Sequence, residues 1–258
     1  MERTVAVGGG EVWTDDTEGE GIPLVLLHPG IADARVWEPV LPALTGRYRV
    51  IRYDARGFGR SPAPTTAYRQ SEDLRRVLDH FGLDRAVLVG SSMGGKTAIS
   101  FALSDPERVA ALGLLVPGVT GYPDLESPEL TEQIGKLATA GDMDGLLDLS
   151  LRTFAAAGTA PDTRAAELIR ASFPGWFSTY GREQEEDPAF ERLGELRLPC
   201  ALLLGEQDTP QVVRCNEAMA ARIPGCRLVR APDCDHLPTL RVPQAVVRLV
   251  TDLYDRVT

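Results

Sequence analysis

Eight consecutive residues, Gly90-Ser91-Ser92-Met93-Gly94-Gly95-Lys96-Thr97, satisfy two different chemistries. Read as Gly90-x-Ser92-x-Gly94, they form the tight turn that presents a serine hydroxyl for attack on an acyl carbon. Read as Gly90-x-x-x-x-Gly95-Lys96-Thr97, they form a phosphate-binding loop, with Lys96 folded over the phosphates and Thr97 holding Mg²⁺. Each reading needs a strand before the loop and a helix after it. Residues 86–89 are a short apolar run and residues 97–103 read as helix, so both readings are served. The octapeptide alone does not choose between acyl transfer and nucleotide hydrolysis.

Acyl transfer by serine needs a base for the hydroxyl proton, a carboxylate to orient that base, and donors for the oxyanion. The chain has three histidines, His28, His80 and His236. His80 falls within an amphipathic helix and reads as an exposed helix residue. His28 ends a strand and reads as structural or as part of an oxyanion loop. His236 follows the last strand, in the loop Pro232-Asp233-Cys234-Asp235-His236, and is the candidate base. The carboxylate has three candidates. Asp208 stands just past another apolar run, in Gly205-Glu206-Gln207-Asp208, and is preferred. Glu206 is an alternative, and Asp235 adjoins the histidine and would tend to point away from it. The resulting order is nucleophile Ser92, acid Asp208, base His236. A phosphate-binding loop would instead need an acidic residue on a neighbouring strand, for which Asp54 can be offered although it sits in a glycine turn, and it leaves Asp208 and His236 without a role.

These residues act together only if loops from distant parts of the chain meet, which a parallel sheet arranges along one edge. The pattern predicts such a sheet. Residues 4–7 and 11–14 read as a hairpin across Gly8-Gly9-Gly10, and 23–28, 48–54, 86–89 and 109–116 as strands. Helices are expected at 37–44, 71–81 and 97–103. The alternation of apolar strand and helix marks an α/β fold, a mostly parallel sheet of eight strands with helices on both faces. From about 119 to 187 strand character disappears and helices are expected at 129–140, 143–156 and 163–173. It returns at 200–204, followed by a helix at 211–223, a strand at 227–231 and a last helix at 243–257. A helical insertion thus divides one sheet.

Composition removes other classes. The 258 residues carry a formal net charge of −10 and only two lysines, Lys96 and Lys136, which argues against nucleic acid or anionic membranes as partners. No apolar run approaches the roughly 20 residues of a membrane span. The first residues lack the basic and apolar regions of a signal peptide, and a cytoplasmic location is expected. Cys200, Cys215, Cys226 and Cys234 form no metal-ligand spacing and are expected to be reduced and mostly buried, with a Cys226–Cys234 bridge as the alternative in an exported protein. No metal or organic cofactor is expected. The oligomeric state is not readable from the sequence.

With those residues in place, the chain resembles the α/β-hydrolases, in their lactonase, esterase and haloperoxidase-like branch (3-oxoadipate enol-lactonase-like). The resemblance is carried by Leu26-Leu27-His28-Pro29-Gly30, by Asp54-x-Arg56-Gly57-x-Gly59-x-Ser61, by the Gly90–Gly95 turn, and by the positions of Asp208 and His236. It implies a hydrolase core of residues 1–118 and 188–258 and a helical cap of residues 119–187 over the pocket. It further implies an ester or lactone as substrate. Three departures stand out. Pro29 replaces the family's usual glycine and has no N–H, so the oxyanion donors are expected to be the amides of Gly30 and Met93. Asp235 replaces the usual glycine before the histidine, and Arg241 stands where a glutamate often follows it. The cap aromatics Phe154, Phe173, Trp176 and Phe177, with Trp37 near the oxyanion loop, are expected to line an apolar pocket or to glue the cap to the core. A nucleotide hydrolase, a non-catalytic small-molecule receptor on the same fold, and lyase or perhydrolase chemistry are the alternatives.

Overall fold

The chain forms one eight-stranded sheet in the order β1-β2-β4-β3-β5-β6-β7-β8 in a computed structural model that describes every residue except Asp124, Glu126 and Thr258. Strands β1 (Glu2–Val7) and β2 (Gly10–Asp16) are the expected hairpin, and β2 continues antiparallel onto β4 (Val50–Tyr53). The other neighbours, β3 (Leu24–Leu27), β5 (Ala86–Ser91), β6 (Val109–Leu115), β7 (Cys200–Gly205) and β8 (Arg227–Ala231), pair in parallel. Every residue of β3, β5, β6 and β7 is buried, which is why these segments read as unbroken apolar runs rather than as alternating ones. The last strand, β8, lies at an edge and exposes Arg227 and Arg230, charges that discourage pairing with a further strand.

Helices cover both faces. The helix α1 (Leu41–Thr45) precedes β4. Its neighbours in the chain are α2 (Gln70–His80) before β5 and α3 (Met93–Ser104) after it. Between β6 and β7 lie α4 (Pro128–Ala140), α5 (Met143–Phe154) and α6 (Thr163–Thr179). Beyond β7 come α7 (Pro210–Arg222), the one-turn α8 (Pro238–Arg241) and α9 (Pro243–Tyr254). Two large apolar clusters result, one on each side of the sheet. Asp124 and Glu126, within the expected insertion, and Thr258, at the end of the expected core, lie outside the described residues.

Two helices differ from expectation for identifiable reasons. The helix expected at 37–44 is a 3-10 turn, Ala34–Trp37, followed by the separate α1, because Pro39 and Pro42 each lack the N–H that a continuous helix would use. The helix expected to stop at 173 continues through Pro174 to Thr179, giving up one backbone bond while its apolar face stays buried. Phe173, Trp176 and Phe177 therefore lie on α6 itself rather than in a following loop.

Candidate active site

The turn after β5 places Ser92 with φ 48° and ψ −109°, a conformation that side chains rarely adopt. Three backbone bonds hold it there. The Ser92 N–H donates to Leu115 O (3.0 Å), and its carbonyl accepts from the N–H groups of Lys96 (2.9 Å) and Gly118 (3.1 Å). The flanking glycines are required by close approach. A Cβ on Gly94 would overlap the Leu27 carbonyl of β3, and one on Gly90 would overlap the Gly94 carbonyl. Strain of this kind, of order 1–3 kcal/mol, persists only where the surroundings impose it.

Ser92 Oγ stands 2.7 Å from His236 Nε2, and His236 Nδ1 stands 2.5 Å from Asp208 Oδ2. The carboxylate can only accept, so Nδ1 carries the proton and Nε2 is left to accept from the serine hydroxyl. The other Asp208 oxygen, Oδ1, accepts from Thr209 N (2.7 Å). The loops carrying Asp208 and His236 are stitched together by Glu206 N to Ala231 O (3.0 Å) and Gln207 N to Cys234 O (2.9 Å). Burial pushes the His236 imidazole toward its neutral form, but the charge and hydrogen bond of Asp208 and the charge of Asp235 outweigh it. Its pKa is raised above 6.5. The other carboxylate candidates are engaged elsewhere. Glu206 pairs with Arg230 (3.2 Å) in solvent.

Asp235 is fully buried. Its Oδ2 accepts from Arg241 Nε (2.8 Å) and Ala157 N (3.0 Å), and its Oδ1 from Leu237 N (2.9 Å). Arg241 also approaches Asp162 of the α5–α6 connection at 2.6 Å, off-axis for a hydrogen bond, so the two act as a charge pair. The two departures from the family pattern are thus a single feature, in which Arg241 neutralises the extra carboxylate beside His236. Reading positions 235 and 241 together as opposite charges, one ahead of α8 and one at its last residue, is the signal that would have found it.

The oxyanion side is equally ordered. His28 Nδ1 donates to Pro29 O (2.8 Å) while its Nε2 accepts from Ala55 N (2.9 Å), which holds a neutral imidazole as a clamp on the loop after β3. Gly30 packs on Met93, with a hypothetical Gly30 Cβ 3.5 Å from Met93 Sδ and 3.7 Å from Met93 Cβ. The Met93 N–H is the first of α3 and has no acceptor within its own helix. From α6, Trp176 Nε1 donates to Gly30 O (2.5 Å), and Phe173 packs against the indole with ring centroids 5.2 Å apart. The Phe154 ring lies 5.5 Å from the His236 ring, and the Phe154 carbonyl accepts the His236 N–H at 3.2 Å.

Of the expected pocket residues, Phe154 and Trp176 thus reach the site and Phe173 supports Trp176. Two do not line it. Trp37 exposes no surface and belongs to the core beneath the loop. Phe177 points away and is 49% exposed, because on α6 it falls one position round from Trp176. No signal in the sequence marked the indole bond to Gly30.

The phosphate-loop reading does not survive the geometry. Helix α3 begins at Met93, leaving no loop to wrap a phosphate. Thr97 Oγ1 is buried and bonded to Met93 O (3.0 Å) and Gln70 Oε1 (3.1 Å). Lys96 is half-buried and paired with Glu183 at 3.1 Å. Asp54 accepts from the amides of Ala34 (2.7 Å) and Arg60 (2.9 Å) and so braces a turn. Among the described residues no cluster of three or more His, Cys, Asp or Glu could hold a metal, and no helix is long and apolar enough to cross a membrane. The alternative Cys226–Cys234 bridge is also excluded, since β8 separates the two cysteines by its full length.

Comparison with known proteins agrees with this architecture. A family model described as the alpha/beta hydrolase fold matches residues 23–156, just over half of the chain. A 2-hydroxy-6-oxononadienedioate/2-hydroxy-6-oxononatrienedioate hydrolase of Cupriavidus pinatubonensis is 28% identical, over 97% of this chain and 94% of its own length. A pimeloyl-[acyl-carrier protein] methyl ester esterase of Chromobacterium violaceum is 28% identical, over 92% of this chain and 96% of its own. The crystal structure of the enol-lactonase from Burkholderia xenovorans superposes with a TM-score of 0.84 at 25% identity, covering 98% of this chain and 100% of the other.

Proposed function

The chain belongs to the α/β-hydrolase fold family and is a hydrolase of that family, and from that premise we propose that it cleaves carboxylic esters or lactones through an acyl-enzyme on Ser92. The observation that carries this reading is the 2.7 Å contact between Ser92 Oγ and the free Nε2 of His236. In this mechanism Ser92 attacks the carbonyl carbon while His236 takes its proton. Asp208 holds the tautomer and stabilises the imidazolium. The Gly30 and Met93 amides receive the oxyanion, with the N-terminal end of α3 adding its positive potential. The imidazolium then protonates the leaving alkoxide, and a water deprotonated by His236 releases the acid. Residues 119–187 act as a cap over the serine, presenting Phe154 and Trp176 to a small, largely apolar acyl group. The names of the relatives, a methyl ester esterase and an enol-lactonase among them, support ester or lactone cleavage.

The test is labelling with a fluorophosphonate, together with hydrolysis of a panel of short p-nitrophenyl esters and lactones. Covalent modification confined to Ser92 and turnover of at least one ester or lactone are expected. Binding of such compounds with neither labelling nor turnover would assign the site to a receptor instead.

Two further outcomes follow from the geometry. His236 works as a base only when neutral, and its pKa is raised, so activity falls as pH drops through a value above 6.5. A kcat/KM profile flat down to pH 5 would contradict it. Trp176→Phe keeps the ring but removes the donor to Gly30 O. A loss of about 3- to 10-fold in kcat/KM is expected, the worth of one ordinary hydrogen bond, with the thermal midpoint little changed. An unaltered kcat/KM would show that the indole does not position the oxyanion loop.

A further inference from the structure

Cys200 and Cys226 meet at the end of the sheet opposite the active site. Their sulfurs are 3.7 Å apart and share a weak hydrogen bond. Cys200 opens β7 and Cys226 immediately precedes β8. The parallel register pairs Ala201 with Arg227, so the two cysteines are the next neighbours in line across adjacent strands. Adjacent strands lie about 4.8 Å apart, within the roughly 4.4–6.8 Å Cα separation that a disulfide spans. Closing the bond therefore asks for side-chain rotation and no movement of the sheet.

The pair is also asymmetric in the way that stepwise oxidation requires. Cys200 is buried, whereas Cys226 is partly exposed. The hydrogen bond with Cys200, with a smaller contribution from the Leu202 amide and the Arg256 charge, outweighs burial and holds the Cys226 thiol below its usual range. The Cys200 thiol is pushed up by its partner and by burial. The other two cysteines are buried, and burial pushes Cys215 up to about 12 and Cys234 also upward. They provide internal controls in the same molecule.

We infer that Cys200 and Cys226 form an oxidisable dithiol, a modification site for small-molecule disulfides in which Cys226 reacts first and Cys200 resolves. In the first step the Cys226 thiolate attacks one sulfur of an oxidised thiol such as glutathione disulfide. That breaks the S–S bond, releases one glutathione thiolate and leaves a mixed disulfide on Cys226. In the second step Cys200, giving up its proton, attacks the Cys226 sulfur and releases the second glutathione. One disulfide is reduced to two thiols, and two protein thiols are oxidised to one disulfide. The bond would tie β7 to β8 at their N-terminal ends. Asp208 and His236 follow the C-terminal ends of the same strands, so oxidation leaves the proposed acid and base in place.

The experiment incubates the full folded chain with glutathione redox buffers of increasing oxidising strength, followed by acid quenching and intact mass and peptide mapping without reductant. A mass lower by two hydrogens is expected, with a Cys200–Cys226 cross-linked peptide that reducing agent reverses, and with Cys215 and Cys234 unmodified. Cys226→Ser should abolish all reaction under these conditions. Cys200→Ser should trap the glutathione adduct on Cys226. A persistent glutathione adduct on Cys226 in the unaltered protein, a cross-link involving Cys215 or Cys234, or no change at the most oxidising ratio would each overturn the inference. None of these readouts depends on hydrolase activity.

Discussion

Ser92→Ala is expected to lower kcat by on the order of 10⁴- to 10⁶-fold while the chain folds as before. That corresponds to roughly 5–8 kcal/mol of transition-state stabilisation. The loss is large because in the proposed mechanism Oγ is the atom that forms the acyl bond, and neither His236 nor the Gly30 and Met93 amides can replace it. The fold should be spared because the strained turn is held by backbone bonds to Leu115, Lys96 and Gly118, which alanine keeps. Steady-state hydrolysis and circular dichroism decide the matter. Activity within tenfold of the unaltered protein, after re-purification to remove contaminating hydrolases, would sink the proposed mechanism.

The second large effect is expected at Arg241. Arg241→Ala removes the side-chain cation bonded to Asp235 and leaves that fully buried side chain without its counterion beside His236. It also releases Asp162. Breaking a buried pair by deleting one partner typically costs about 3–5 kcal/mol, and denaturant unfolding should read a loss of that size. A second readout separates electrostatics from packing. The Asp235 charge already favours the imidazolium, so removing its counterion raises the His236 pKa further and moves the acid limb of kcat/KM to higher pH. Asp235→Asn should move the limb the other way. Asp235→Asn combined with Arg241→Gln should cost less than the sum of the single changes, because neither charge is then left alone. A stability loss below about 1 kcal/mol, the range of exposed pairs, would show that the triad of charges contributes little.

The same three charges explain how the proposed cap is attached. Asp235 and the His236 amide bind the end of α5 at Ala157 N and Phe154 O, and Arg241 reaches Asp162 at the start of α6. Elsewhere Trp176 holds Gly30, and Lys96 on α3 holds Glu183. The insertion therefore touches the His236 loop, the loop after β3 and helix α3 through one polar contact or more apiece. Any widening of the site must break some of these bonds and not others. The Phe154–Asp162 segment carries three of these contacts, through Phe154 O, Ala157 N and Asp162.

Much of this protein is written locally. The runs Leu24–Leu27, Ala86–Ser91, Val109–Leu115 and Cys200–Gly205 announce buried parallel strands because burial on both faces demands apolar residues at every position. Once the strands are placed, the loops at their C-terminal ends follow, and with them Ser92, Asp208 and His236, since parallel strands bring those ends to one edge. The glycines at 90 and 94 are legible for a similar reason, being required by one turn. What remained hidden depends on which distant groups meet. Spacing does not show that Thr97 is sealed against Gln70, that Lys96 finds Glu183, or that Trp176 reaches Gly30. Nor does it show that Cys226 faces Cys200 rather than Cys234. Periodicity and turn chemistry are set by neighbours in the chain, so the residues themselves determined the sheet and the order of its reactive side chains. Hydrogen bonds and ion pairs act over a few ångströms between segments far apart in sequence, and only the folded chain decided those partners.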